Sequence, residues 1–361
     1  MKKIDWYIAK KFLTTFLFLT LIFTVITIVV DFSEKAEDFH KSGLSFMQII
    51  QQYYYGFIPR MVALLLPLFV FIAVIFFTSK MAGRSEVIAI LASGTSFGRM
   101  LRPYMACAAL LSLVLWLGFR YVLPKANIIF SIFQVKYVDG PNYHSTPNNT
   151  IYFRVDSNRY ASISNYDTGT KSGYGFILNK IENHQLTYNM RAERLEWDTA
   201  NKGQWKLISA VERFIGKRSE TVKQHDNLYM AFNFKPHDIK KDEYTKDKLT
   251  TPELEHFIAL QEARGAEGMN DLLVERYKRL TTPLSVILLT FIGVSVSSRK
   301  VRGGMGLHLA TGFIAAVIFT FIDRFSTMFS TKGNLSPMLA AWLPNLIFVF
   351  VAIYLYRQAP K

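Results

Sequence analysis

Two sets of charged residues are spaced for recognition chemistry. The first is Arg84-Ser85-Glu86, followed by the apolar run Val87 to Ala92 and then Ser93-Gly94. Ser85 is placed to cap a helix, Glu86 at its first position is favoured by the partial positive charge of the helix start, and Gly94 suits the stop. About two turns result, with Val87, Ile90 and Leu91 on one face and Glu86 projecting from the leading end. An acidic peg of this kind fits a socket on another protein. The same composition also suits an amphipathic linker lying in a membrane surface, with Lys80, Arg84, Arg99 and Arg102 on lipid headgroups. The second set is Lys35, Lys41, Arg60, Arg120, Lys125 and Arg324, bases that flank apolar runs. They read either as snorkelling anchors or as a collar of cations around a cavity mouth, fit for the phosphates of a bulky anionic lipid.

Other chemistry is poorly served. The chain has no Gly-x-x-x-x-Gly-Lys-Ser/Thr run, no His-Glu-x-x-His and no Gly-x-Ser-x-Gly, and its seven His are scattered. Gly94-Thr-Ser-Phe-Gly98-Arg99 lacks both the spacing and the lysine of a phosphate-binding loop. We therefore expect no ATPase, hydrolytic or metal site and no cofactor in the chain. Cys107 is the single cysteine, so no intrachain disulfide can form, and its place inside an apolar run reads as packing.

The elements that must position these residues are membrane spans. Of 361 residues, 50% are hydrophobic and 30 are Phe, too apolar a balance for a soluble domain of this size. Six uncharged runs are long enough for a hydrocarbon core of ~30 Å: Phe12–Val30, Met61–Ser79, Pro103–Phe119, Leu280–Ser298, Gly303–Ile322 and Gly333–Tyr356. Thirteen Lys and Arg sit in the N-terminus, the Lys80–Arg102 stretch, Arg299–Arg302 and the C-terminal tail, against three (Lys35, Lys41, Lys332) in the opposite short loops. The positive-inside rule puts both termini and the Glu86 segment in the cytoplasm. The net charge of +15 reports that topology and gives no reason to invoke nucleic acid. Tyr53-Tyr54-Tyr55 reads as an interfacial aromatic belt. The mid-depth of the spans is empty of charge, which disfavours an ion-coupled carrier.

Three parts follow: 1–125 with spans one to three and the short helix near 85–93, 126–245, and 246–361 with connecting helices and spans four to six. In 126–245 no run can span, and alternation appears at Ile151–Val155, Phe176–Ile181, Leu186–Trp197, Trp205–Phe214 and Leu228–Phe234. Between Trp197 and Trp205 lies a hairpin-type turn. These strands argue for an antiparallel sandwich or jelly-roll-like domain on the periplasmic side. Thr251-Pro252-Glu253 starts a helix that ends before Gly265, a second helix near Asn270–Leu280 lies at the outer surface, and Asn345 needs a partner within the bundle.

Arg84-Ser85-Glu86 with Ala92-Ser93-Gly94, the boundary Leu123-Pro124-Lys-Ala-Asn127, the entry Arg279-Leu-Thr-Thr-Pro283 and the order of three spans, β domain and three spans resemble the lipopolysaccharide export permeases, the LptF/LptG type. The coupling motif leans towards the G-type subunit. The resemblance implies a multi-pass protein of the bacterial inner membrane, paired with a paralogous permease subunit. It implies docking of a cytoplasmic ABC-type ATPase dimer, which holds the ATP and Mg, with the residue matching Glu86 in a groove of that ATPase. It further implies lateral gates at spans one and five, and a periplasmic β-jellyroll bridge that receives lipopolysaccharide. The alternatives from other classes are a non-transporting scaffold for envelope assembly and the ion-coupled carrier.

Overall fold

The computed structural model describes residues 3–138, 150–156, 158–167, 169–182, 184–198, 203–216, 219–236, 244–263, 268–299 and 304–358. Lys2, Lys300, Arg302 and Lys361 of the charge count, the turn at 199–202 and Gly265 lie outside them. Two units form: Met1–Phe133 with Lys246–Leu254 and Asn270–Lys361, and Gln134–Thr245 with Glu255–Met269.

The first unit is helical. Its elements are α1 (Lys3–Glu34), α2 (Ala36–Lys41), α3 (Phe46–Ile49), α4 (Tyr55–Gly83), α5 (Glu86–Ala92), α6 (Phe97–Leu117), α7 (Leu123–Phe133), α8 (Thr245–Lys248), α9 (Thr251–Ala263), α10 (Met269–Ser297), α11 (Gly304–Thr331) and α12 (Pro337–Gln358). Units and elements do not coincide at α8, α9 and α10, each of which has an end in the second unit. Six of these stretches are long and apolar enough to cross a membrane, with α3–α4 and α6–α7 each made continuous by a π-helical turn, Ile50–Tyr54 and Gly118–Val122. The helices outrun the uncharged runs because charged residues are tolerated where a helix leaves the apolar layer. The expected break between a surface helix and span four is absent: α10 runs through Pro283, whose carbonyl accepts the Ser112 hydroxyl at 2.7 Å. Likewise the helix entering the β region continues to Val138, past the 126 boundary, and the first strand starts at Ile151.

Two apolar clusters hold the bundle. One gathers α1, α4, α5 and α6 around Phe12, Val70, Val74 and Tyr104, with Cys107 packed in it. The other gathers α4, α10, α11 and α12 around Phe71, Ile75, Leu289, Ala316 and Phe348. Gly312 of α11 allows that approach, since a Cβ there would stand 2.2 Å from Ile75 Cδ1. Asn345 finds its partners, taking the Ser285 hydroxyl at 2.9 Å and donating to the Thr281 carbonyl at 3.1 Å.

The second unit carries six antiparallel strands, β1 (Ile151–Arg154), β2 (Arg159–Asp167), β3 (Ser172–Glu182), β4 (Gln185–Asp198), β5 (Gln204–Ile215) and β6 (Glu220–Met230), paired in chain order as one meandering sheet. One face is covered by Ile163, Phe176, Leu178, Met190, Trp205 and Leu207, onto which Phe232 and Phe234 fold back. The Trp205 indole donates to the Phe234 carbonyl at 2.9 Å, so the stretch read as the last strand's end is a cover, and β6 begins eight residues earlier at Glu220. Trp197 and Trp205 meet across β4 and β5 at 5.0 Å, as a hairpin there requires.

Candidate functional site

The recognition residues gather at opposite ends of the helical unit. At one end, α4 must reverse into α5 within two residues. Ser85 achieves this with a left-handed backbone, φ 63°, and its side chain makes no cap hydrogen bond. The expected Ser85 side-chain cap is thereby corrected: the tight reversal sets the backbone, at a cost of about 1–3 kcal/mol for a non-glycine residue. Gly94 does close α5 as expected, at φ +83° with its N–H on the Leu91 carbonyl at 3.0 Å.

The apolar face of α5 points inward. Val87 is 1% exposed, and Ile90 and Leu91 pack partly buried against the same cluster. These three residues, expected among those that couple to the ATPase, seat α5 on the bundle. A short helix is marginal in water without tertiary packing, which is why its apolar stripe is spent on its own chain. Outward stand Arg84 and Ile88, the latter 49% exposed. Glu86 remains accessible, its side chain 31% exposed, with the Tyr7 hydroxyl donating to Oε2 at 3.1 Å and Arg84 3.9 Å from Oε1. Asp5 takes the Arg99 guanidinium at 2.7 Å. Thus α1 is tied to both α5 and the start of α6. The pairing of Tyr7 with Glu86 and of Asp5 with Arg99 is not legible in the sequence, because partners 79 and 94 residues apart leave no periodic trace.

At the other end the six bases do not form one collar. Lys35 is inside, bonded to Asp31 at 3.1 Å and to the Tyr53 hydroxyl, with its Nζ 4.8 Å from the Tyr53 ring centre. Tyr53 and Tyr54 are buried, and only Tyr55 of the expected belt is exposed, because the π-helical turn rotates the first two inward against Phe39, Phe57 and Phe133. Lys41 is exposed and pairs with Glu37 at 2.6 Å; their hydrogen bond and mutual attraction raise the lysine and hold the carboxyl below its ordinary value. Arg60 pairs with Asp247 at 3.2 Å and lies over the Phe130 ring. Arg120 rests between the Trp116 and Tyr121 rings. Lys125 and Arg324 are exposed.

Arg60 and Arg324 do share a cavity of 420 Å³, walled by α4, α7, α10, α11 and α12. Its charged lining holds Lys246–Asp271 at 2.6 Å, Lys278–Asp323 at 2.7 Å and Arg279–Glu275 at 3.2 Å, and its apolar lining is Leu64, Leu68, Phe119, Leu289 and Phe319, with Ser285 and Asn345 beside them. Pairing each buried charge is what makes so many tolerable at a helix end. Among the described residues no group of three or more His, Cys, Asp or Glu could hold a metal ion.

A sequence model of the family described as lipopolysaccharide export system permease LptF/LptG matches residues 6–358. The chain is similar to the lipopolysaccharide export system permease protein LptG of Escherichia coli strain K12 and to that of Escherichia coli O6:H1, 20% identical to each over 359 residues, covering 98% of both chains. The match extends across spans, α5 and sheet alike. The chain therefore belongs to the LptF/LptG family of lipopolysaccharide export permeases.

Proposed function

We propose that this chain is the transmembrane subunit of an ATP-driven exporter that extracts lipopolysaccharide from the bacterial inner membrane and passes it to a periplasmic β-jellyroll bridge. A paralogous permease completes the pair, and a cytoplasmic ABC-type ATPase dimer holding ATP and Mg docks at α5, with both termini on that side and the sheet unit in the periplasm. The observation that carries this reading is the Tyr7–Glu86 contact, which joins the exposed carboxylate of α5 directly to α1. A partner cation that takes the carboxylate competes with the Tyr7 hydroxyl, so docking has a direct mechanical route into a membrane-crossing helix.

Lipid extraction needs continuous apolar cover, since each exposed CH₂ costs ~0.8 kcal/mol. α1 and α11 supply such faces, with Leu17, Leu21, Val25 and Val29 exposed on one and Phe313, Val317, Phe321 and Phe325 on the other. Arg120, Lys125 and Arg324, exposed at the far end, are the bases placed to meet lipid phosphates; Lys35 and Arg60 are held by internal partners.

The test is Glu86→Ala, co-purified with the ATPase and assayed for nucleotide-dependent lipid release. The expected result is loss of co-purification and of release with unchanged membrane insertion. Normal docking and release would remove Glu86 from the mechanism, and no ATPase bound to either protein would favour the scaffold.

A further inference from the structure

The 420 Å³ cavity shares Arg324 with the transport reading, but its lining includes none of the exposed apolar side chains of α1 and α11 named above, so it is not the lipid-facing surface invoked there. It carries two buried polar atoms that find no hydrogen-bond partner: Arg60 Nη1, a charged donor, and Asn127 Oδ1, an acceptor on a side chain whose residue is only 8% exposed. The rest of each group is fixed. Arg60 is clamped by Asp247 and by the Phe130 ring, and the Asn127 amide nitrogen donates to the Asp247 carbonyl at 2.7 Å. Neither group can therefore turn away freely, and an unmade bond to a buried charged donor is costly. The lining has five cations, the four bases of the ion pairs and Arg324, against four carboxylates, Asp247, Asp271, Glu275 and Asp323. That excess favours an anion.

Apolar side chains complete the lining. Arg60, Leu64 and Leu68 follow one another at four-residue spacing on α4, which sets a depth of about 12 Å. A free phosphate would satisfy Arg60 and leave the apolar floor uncovered. An amphiphile satisfies both, and the volume lies at the small end of the range for ligand pockets, about 300–1,000 Å³, which rules out the many chains of a lipopolysaccharide.

We propose that this cavity is a resident-lipid site, holding one acyl chain of a glycerophospholipid over Leu68 and Phe319 with its phosphate accepting from Arg60 and its glycerol or headgroup donor reaching Asn127. The bound lipid fills the gap between the α4–α7 and α10–α12 sides and is a fixed component of the subunit, distinct from any cargo. This assignment stands whether or not the chain exports lipopolysaccharide.

The test uses the full chain with a photo-crosslinking amino acid at Leu68, reconstituted in vesicles of phosphatidylethanolamine and phosphatidylglycerol, with purified lipopolysaccharide added in a second sample. Mass spectrometry should find a glycerophospholipid adduct in both samples, reduced at least about fivefold by Arg60→Gln. Asn127→Asp, close in shape but negatively charged beside the phosphate, should reduce it similarly while the protein remains monodisperse with unaltered helix content, so that loss of fold is separable from loss of lipid. A crosslinker at the exposed Leu17 reports bulk lipid and should be indifferent to both variants. No lipid adduct at Leu68, an adduct unaffected by both variants, or an adduct of lipopolysaccharide mass would each overturn the proposal.

Discussion

α4 and α1 are both apolar helices long enough to cross a membrane, yet 61% of the most apolar stretch of α4 is buried and only 6% of that of α1. α10 and α11 repeat the contrast, at 61% and 17%. The buried pair is held along its length by side-chain packing. The peripheral pair packs along one face, α1 through Ile8, Phe12 and Phe16 and α11 through Gly312 and Ala316, and adds polar clips at its ends: Asp5–Arg99 and Tyr7–Glu86 at one end of α1, Asp31 with Lys35 and Tyr53 at the other. α11 is fastened through His308 on the Arg299 carbonyl at 2.8 Å and through Asp323 on Lys278. The difference teaches that a helix packed along a single face can draw the rest of its fixity from a few short polar contacts at its termini.

The comparison breaks most severely if a side chain is forced into the α4 packing. A Cβ on Gly56 would stand 2.4 Å from the Ala126 carbonyl oxygen and 2.5 Å from the Phe130 amide nitrogen, backbone atoms that cannot step aside. Gly56→Ala is therefore expected to cost at least about 3 kcal/mol, read as loss of a cooperative thermal transition in detergent. A paired measurement sharpens the point. Phe71→Ala, at a fully buried position of α4, should cost about 3 kcal/mol, while Phe18→Ala, 63% exposed on α1, should stay within about 0.5 kcal/mol. Equal costs would dissolve the distinction between axis and periphery.

The clips come next. Asp31→Ala leaves the half-buried Lys35 among aromatic rings without the Asp31 carboxylate, and about 2 kcal/mol is expected, with faster amide exchange at the last turns of α1 and no change in α4. The smallest effect concerns α9, whose start is capped by Glu253 accepting from the Thr250 N–H at 2.8 Å and its hydroxyl at 2.7 Å. Those bonds, the hydroxyl's first, hold the Glu253 carboxyl below its ordinary value. A depressed carboxyl adds stability above its unfolded pKa and loses it as pH falls through the folded one. Exchange protection at Leu254 should therefore hold at neutral pH and fade below the ordinary glutamate range, and Glu253→Gln should flatten that dependence.

How much of this was legible from residues alone follows from which forces are local. The six spans were readable because apolar length is a one-dimensional signal, and Gly94 and the unmet amide of Asn345 announced themselves by residue type. The cap of α9 was read one residue late, since Thr250 and Thr251 offer the same hydroxyl. β2 is absent from the sequence reading: Ala161 to Ser164 alternate for only four residues, after which Asn165 is exposed where the next apolar residue should fall and Tyr166 is buried in its place. The site was harder. Whether Val87, Ile90 and Leu91 face a partner or their own bundle depends on where α1 and α6 sit, and Arg60 gives no hint of Asp247, 187 residues onward. Charge type was evident; pairing, which decides what a charge is available for, is tertiary.

Inserting a sheet between the two halves of the helical unit has a consequence for biogenesis. Phe71 packs with Leu289 and Ala316, which leave the ribosome more than 200 residues after it. At roughly 5–20 residues per second, that face of α4 waits on the order of 10–40 s for its neighbours. During that interval lipid, or an insertion chaperone, must occupy the place the later helices will take.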